Sequence, residues 1–248
     1  MRRKVAKVLL RSLFQSLGWV QPASSSPLPV LATGTLTYYS PDGSPSASAN
    51  VTIRCSGSER YRIDVNEAAG THSTFVNGLG GVHVGADGRP HQLPASTAAS
   101  MKSPMFPFLD DALNPDNPEN VVEDTGLQDV PTGITRRLHV TIPPSTDFKA
   151  GLKSRASEKT LWFSPDGTPA RIDFYRLAAD NHYARVPFSL LLSDYRQVRG
   201  LAIAFRQEEL LDGKTISVLT LQTVLVGTGS GVTDSDFQAP QAVAGSAR

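Results

Sequence analysis

LAIAFRQEELLDGKTISVLTLQTVLV, residues 201–226, consists of two long apolar-rich runs on either side of Asp212-Gly213. An Asp-Gly pair reaches positive φ at little cost, so it is typical of the tight turn between two antiparallel strands. The stretch therefore predicts a β-hairpin. Residues 161–177, LWFSPDGTPARIDFYRL, have the same organisation around Asp166-Gly167 and predict a second hairpin.

The same signals recur through most of the chain. Further Asx-Gly pairs are Asp42-Gly43, Asn77-Gly78 and Asp87-Gly88. The runs between such turns alternate with period two, as in NVTIRCSG at 50–57, where every second residue is apolar. Alternation of this kind indicates an antiparallel sheet with one face buried and the other in water. We therefore predict a mainly β (α+β) fold.

The N-terminal residues have a helical period instead. Leu10, Leu13, Phe14 and Leu17 fall at i, i+3, i+4 and i+7, and Gly18 follows as a stop signal. Residues 1–20 are therefore predicted to form an amphipathic helix that packs on the sheet. Because cationic side chains interrupt the apolar run, it is not a convincing secretory signal peptide. Peripheral contact with a membrane surface is the alternative role of this basic helix.

The predicted domain organisation is simple. Residues 21–240 form a single domain, and residues 241–248 form a disordered tail. A proline-rich stretch within about 95–125 breaks the strand pattern, so a helical and loop insert is expected there. No run is long and apolar enough to predict a transmembrane helix.

Composition and motifs argue against several functions. The net charge is +1 and no dense basic stripe occurs, so nucleic-acid binding is not expected. The single cysteine, Cys55, lies in an alternating run and is predicted to be a small buried side chain. His83 and His91 could approach each other across a hairpin, but no HExxH or GxSxG motif occurs. We therefore predict no enzyme, no metal site and no cofactor.

The C-terminal third carries a family resemblance. Ser-Asp-Tyr-Arg at 193–196, a glycine at 200, the turn at 212–213 and Asp-Phe at 236–237 followed by Pro240 resemble the periplasmic lipoprotein-sorting (LolA/LolB-like) superfamily, especially its divergent members. Arg-Tyr-Arg at 60–62 is consistent with this resemblance. It implies a curved antiparallel sheet forming an incomplete β-barrel covered by a few helices. It also implies a periplasmic or cell-envelope location, with the cytoplasm as the alternative, and a concavity that accepts acyl chains.

From the alternation and the resemblance together we predict a non-catalytic carrier of a lipid or an acylated partner. The apolar residues expected to line its concavity are Val51, Ile53, Tyr61, Ile63, Leu138, Val140, Phe163, Phe174, Phe188, Leu201, Ile203 and Phe205. Phe106, Phe108 and Leu109 are the predicted lid, with a fixed cover as the alternative. Arg62 and Arg206 are the head-group candidates, with solvated strand residues as the alternative. The alternative for the concave residues is a filled core, in which case the protein is an envelope scaffold without a small ligand.

Overall fold

The structure is a computed structural model that describes residues 2–19, 28–57, 60–101, 103, 105, 119–130, 133–178 and 184–240. The predicted lid residues Phe106, Phe108 and Leu109 lie outside these ranges. So do the predicted tail, 241–248, and residues 102, 104 and 106–118 of the predicted insert. The division of the chain into domains stays a prediction.

All strands belong to one 13-stranded sheet in which every neighbouring pair is antiparallel. The strands are β1 Pro29–Tyr39, β2 Pro45–Ser56, β3 Arg60–Glu67, β4 Gly70–Asn77, β5 Gly80–Val84, β6 Pro90–Gln92, β7 Val121–Val130, β8 Gly133–Thr141, β9 Lys159–Phe163, β10 Pro169–Leu177, β11 Arg185–Val198, β12 Leu201–Leu211 and β13 Lys214–Val226.

The sheet consists of two meanders joined at one seam. Strands β1 to β6 pair in chain order, as do β7 to β13, and β1 pairs with β13 to make one continuous sheet. The two ends of the order are β6 and β7, so the barrel is not closed. The predicted incomplete β-barrel of mainly antiparallel strands is therefore confirmed.

The turns predicted from Asx-Gly pairs all connect neighbouring strands. Gly43, Gly78, Gly88, Gly167 and Gly213 each have positive φ, between 60° and 84°. They join β1 to β2, β4 to β5, β5 to β6, β9 to β10 and β12 to β13, respectively. These hairpins form where expected because the turn signal is local: it depends on the conformational freedom of two adjacent residues.

Helix α1, Arg2–Ser16, fills part of the concave side of the sheet. Its side chains Ala6, Leu10 and Phe14, and Leu17 directly after it, are buried in the same hydrophobic cluster as the interior of the strands. The helix is anchored at its end, where the backbone N–H of Ala202 donates to Leu17 O over 2.9 Å. The Trp19 indole N–H donates to Ala202 O, also over 2.9 Å. The N-terminal helix is thus part of the core.

Two further α-helices pack against each other and against the sheet. α2, Ala95–Ser100, contacts β5, β10 and α3, and thereby bridges strands that are far apart in the sheet order. α3, Phe148–Ser157, was not expected from the sequence and packs against α2, β8 and β10. Its first turn is capped by Asp147, whose carboxylate accepts from the backbone N–H of Ala150 over 2.8 Å.

The C-terminal segment docks on the N-terminal meander. Arg60 pairs with Asp234 at 2.6 Å, and its guanidinium carbon lies 4.6 Å from the centre of the Phe237 ring. Arg54 pairs with Asp236 at 3.3 Å. Among the described residues, no helix has the length and apolar character needed to cross a membrane.

A row of histidines near the β6 edge leads to a pH prediction. His83 and His91 are paired across β5 and β6, and the rings of His72 and His83 stack at 5.9 Å. Burial, followed by the charges of the neighbouring histidines, lowers the pKa of His83. The unfolded chain therefore binds a proton at this position at a higher pH than the folded protein.

Stability should fall as the pH decreases from the unfolded histidine pKa, about 6.5, to the lower pKa of folded His83. His83→Gln removes this titration, so urea unfolding between neutral and mildly acidic pH should depend less on pH in the variant. Equal pH dependence in both proteins would contradict this origin.

Candidate functional site

The concave side of the sheet contains a cavity of about 480 Å³, here called the interior cavity. It is lined by residues of β1, β2, β3, β4, β10, β11, β12 and β13, by α2 and by the chain that follows α2. Its apolar wall consists of Leu36, Val51, Ile53, Ile63, Val65, Met101, Phe174, Leu177, Leu190 and Leu219. A cavity of this volume lies within the range of small-molecule sites, which is about 300–1,000 Å³.

The lining also demonstrates the curvature of the sheet. The strands from β4 to β10 are contiguous in the sheet order and would span about 34 Å if the sheet were flat. The interior cavity is nevertheless lined by residues of both β4 and β10, so the sheet bends around it. Helix α2 contacts β5 and β10 and covers the gap between the two sides. The cavity is therefore a roofed concavity, not a cleft between two flat layers.

One end of the interior cavity is charged. The Arg176 guanidinium, on β10, forms an ion pair through Nη2 with Glu209 Oε1, on β12. Its carbon also lies 4.3 Å from the centre of the Phe188 ring, and Phe174 stacks against Phe188 at 5.9 Å. The arginine is thus held between a carboxylate and an aromatic face, both of which restrict its position.

The environment of Glu209 opposes its ionisation. Burial raises the pKa of the Glu209 carboxyl, and the positive charge of Arg176 only partly offsets this effect. The side chain of Glu209 is mostly buried, whereas Arg176 is more exposed. The pair places charges of both signs at an otherwise apolar wall, with no net charge when both are ionised.

Two polar atoms near this pair are buried without a hydrogen-bond partner among the described residues. They are Arg176 Nε and Tyr61 Oη, whereas the Ser103 side chain is hydrogen-bonded to Cys55. Arg176 and Ser103 line the interior cavity, and Tyr61 is close enough for the Arg176 charge to counteract part of the rise that burial causes in its pKa. Unpaired buried donors are costly, so they are the natural partners of a polar group on a bound molecule.

Cys55 lies on the adjoining strand, opposite Tyr61. It is fully buried, and burial raises the pKa of its thiol to about 12. Such a thiol is protonated at physiological pH and is a poor nucleophile. Cys55 is therefore the buried apolar side chain expected from the sequence.

The structure brings only part of the predicted concave set to the cavity. Val51, Ile53, Ile63 and Phe174 line it. Phe188 is half-buried and contacts the cavity arginine. The other predicted residues belong to the packed cluster that contains α1; they are Tyr61, Leu138, Val140, Phe163, Leu201, Ile203 and Phe205. Val51, Ile53 and Phe174 belong to the same cluster, so the cavity adjoins the packed core that includes α1.

The predicted head-group candidates are engaged elsewhere. Arg62 Nε pairs with Asp64 Oδ1 at 2.8 Å, and its guanidinium carbon lies 4.8 Å from the centre of the Phe75 ring. Arg206 pairs with Glu208 at 3.3 Å. Neither arginine is among the residues that line the interior cavity. The charged residues at the cavity are Arg176 and Glu209 instead.

A signal for Arg176 was present in the sequence. In the strand pattern it shares a face with Ile172 and Phe174, both of which are buried. A charged residue on an apolar face is uncommon and indicates a paired or functional side chain. The pairing with Glu209 could not be seen locally, since the two residues are 33 positions apart.

The described part of the chain contains no cluster of three or more histidine, cysteine, aspartate or glutamate side chains able to hold a metal ion.

This incomplete antiparallel barrel is similar to several solved structures. A DUF1329 family protein from Desulfovibrio piger superposes with a TM-score of 0.64 at 13% identity, over 96% of this chain and 97% of that chain. A protein domain from Vibrio parahaemolyticus, named for outer membrane lipoprotein sorting, superposes with a TM-score of 0.62 at 10% identity, over 95% of this chain and 97% of that chain.

A LolA superfamily protein from Nitrosomonas europaea gives a TM-score of 0.52 at 13% identity, over 87% of this chain and 92% of that chain. At these identities the likeness establishes the fold, and the resemblance predicted from the sequence is confirmed at that level. No protein-family model matches the sequence, and no curated protein matches it either.

Proposed function

We propose that the protein is a non-catalytic carrier that holds the acyl chain of a lipid or of an acylated partner in the interior cavity. The observation that carries this proposal is a helix-roofed cavity with aliphatic walls drawn from eight neighbouring strands. An acyl chain in such a cavity gains roughly 25 cal/mol for each Å² of apolar surface removed from water. No reacting group is needed for that gain.

The structural neighbours support the same proposal. One is named for outer membrane lipoprotein sorting and another for the LolA superfamily. By the same analogy the periplasm or cell envelope is the proposed location, with lipoprotein or lipid trafficking as the proposed process. Analogy of fold alone does not assign a function. The chemistry of the interior cavity therefore carries the proposal.

Mass spectrometry of lipid extracts tests the proposal directly. The full chain should co-purify with acylated molecules, and the delipidated protein should bind a fluorescent acyl-chain probe stoichiometrically. Absence of lipid in repeated preparations, together with absence of probe binding, would contradict the carrier and favour an envelope scaffold with no small ligand.

The proposed membrane contact of residues 1–20 needs a different test from deletion, because deletion would remove Leu10 and Phe14 from the core. The outer side of α1 instead exposes Val5 and Val8, which are 60% and 68% exposed. If this face touches membranes, Val5→Ser with Val8→Ser should reduce sedimentation with anionic vesicles while leaving the thermal melting temperature unchanged. Equal sedimentation of both proteins would exclude contact through these side chains.

A further inference from the structure

The charged end of the interior cavity restricts the head group of a ligand, which the apolar wall does not. Arg176 is the cationic residue among the described lining residues, and its charge is already compensated by Glu209. A free carboxylate brought to this end would meet the Arg176 charge and the like charge of Glu209 together. The free energy that the carboxylate loses on leaving water would therefore be only partly recovered.

A neutral carbonyl meets a different environment. It carries no charge to be repelled by Glu209, and it accepts a hydrogen bond from a donor that the protein leaves unpaired. Arg176 Nε is a buried donor at the cavity with no partner among the described residues, whereas the Ser103 side chain, which also lines the cavity, is hydrogen-bonded to Cys55. The Tyr61 hydroxyl is another buried donor without a partner among the described residues, but it lies in the packed cluster and does not line the cavity.

Building on the proposed function, we infer that the interior cavity selects acyl esters or acyl amides over free fatty acids, and that the Arg176–Glu209 pair makes this selection. The shared chemistry of the ligands is a neutral carbonyl at the head of an acyl chain. It occurs in glycerolipids, as an ester, and in acylated peptides, as an amide.

Binding of three ligands with the same chain tests the inference. Glycerol monolaurate, N-lauroyl glycinamide and laurate are titrated by isothermal calorimetry against the delipidated full chain at neutral pH. Either neutral ligand should bind at least tenfold more tightly than laurate. Tighter binding of the ester indicates a glycerolipid source, and tighter binding of the amide indicates an acylated peptide.

The Glu209→Gln variant identifies the origin of the selectivity. It removes the competing carboxylate and leaves Arg176 to pair with laurate, so the preference for the neutral ligands should fall by at least tenfold. Glu208→Gln is the matched control, because Glu208 pairs with Arg206 and is not among the cavity-lining residues. The preference of the Glu208→Gln variant for the neutral ligands should equal that of the unmodified protein.

The possible failures are distinguishable. If none of the three ligands binds, the carrier proposal itself is contradicted. If laurate binds the unmodified protein as tightly as the neutral ligands, the carrier stands and the inference is overturned, whether or not the variants fold. An equal fall in ligand preference in Glu209→Gln and Glu208→Gln would also overturn the inference.

Discussion

Gly18→Ala is expected to destabilise the protein by about 2–5 kcal/mol, which combines a left-handed backbone penalty with overpacking. Gly18 has a φ of +73°, and a Cβ at this position would lie 1.9 Å from the carbonyl oxygen of Gly200. The clash is with backbone, so no side-chain rotation relieves it. It occurs where α1 is anchored to the β11–β12 turn, beside the Leu17–Ala202 hydrogen bond. Urea unfolding followed by circular dichroism measures the loss.

Gly43→Ala is the matched control for this substitution. Gly43 also has a positive φ, +84°, but a Cβ there has nothing within 4 Å. Only the backbone penalty applies, so a loss of about 1–2 kcal/mol is expected. Similar losses in the two variants would mean that the end of α1 is not held against the β11–β12 turn.

Leu36→Trp should reduce the affinity for an acyl-chain probe at least tenfold, which corresponds to about 1.4 kcal/mol. Leu36 lines the interior cavity from β1, opposite Leu219 of β13, which also lines it. An indole at this position occupies volume that the acyl chain needs. The effect should appear in fluorescent-probe titrations, whereas the change in unfolding free energy should be small because the cavity accommodates the ring.

Leu31→Trp is the control on the same strand. Leu31 is partly buried like Leu36, but the two lie an odd number of residues apart and so face opposite sides of β1. Leu31 is not among the cavity-lining residues. Its replacement should leave probe affinity unchanged. Equal losses in both variants would indicate a general effect on the sheet and not occupation of the cavity.

The strands and hairpins could be predicted from the sequence because their signals are local. Asp42-Gly43 and Asp212-Gly213 fix tight turns, and period-two alternation identifies the buried face of each run. The residues that carry the family resemblance also have local structural roles. Asp194 adopts a left-handed conformation within β11, and Gly200 forms the β11–β12 turn. Phe237 supports the docking of the C-terminal segment on Arg60.

The division of the concave face into core and cavity could not be predicted. Leu138 and Ile53 have the same pattern in sequence, yet one is packed in the interior and the other lines the cavity. Both side chains belong to the cluster that contains α1, so the difference depends on tertiary packing, which has no local signal in the sequence. α3 was missed for another reason: its amphipathic pattern is weak and Gly151 interrupts it, although Asp147 was a readable cap.

The most direct test is to locate a bound acyl chain by nuclear Overhauser effects between a ¹³C-labelled lauroyl ester and the methyl groups of the protein. The chain should show contacts with Ile53, Ile63 and Leu219, which line the interior cavity, and none with Ile172 or Leu138, which are buried outside it. Contacts confined to the outer faces of the strands, or no intermolecular contacts at saturating ester, would contradict acyl-chain binding in the roofed concavity.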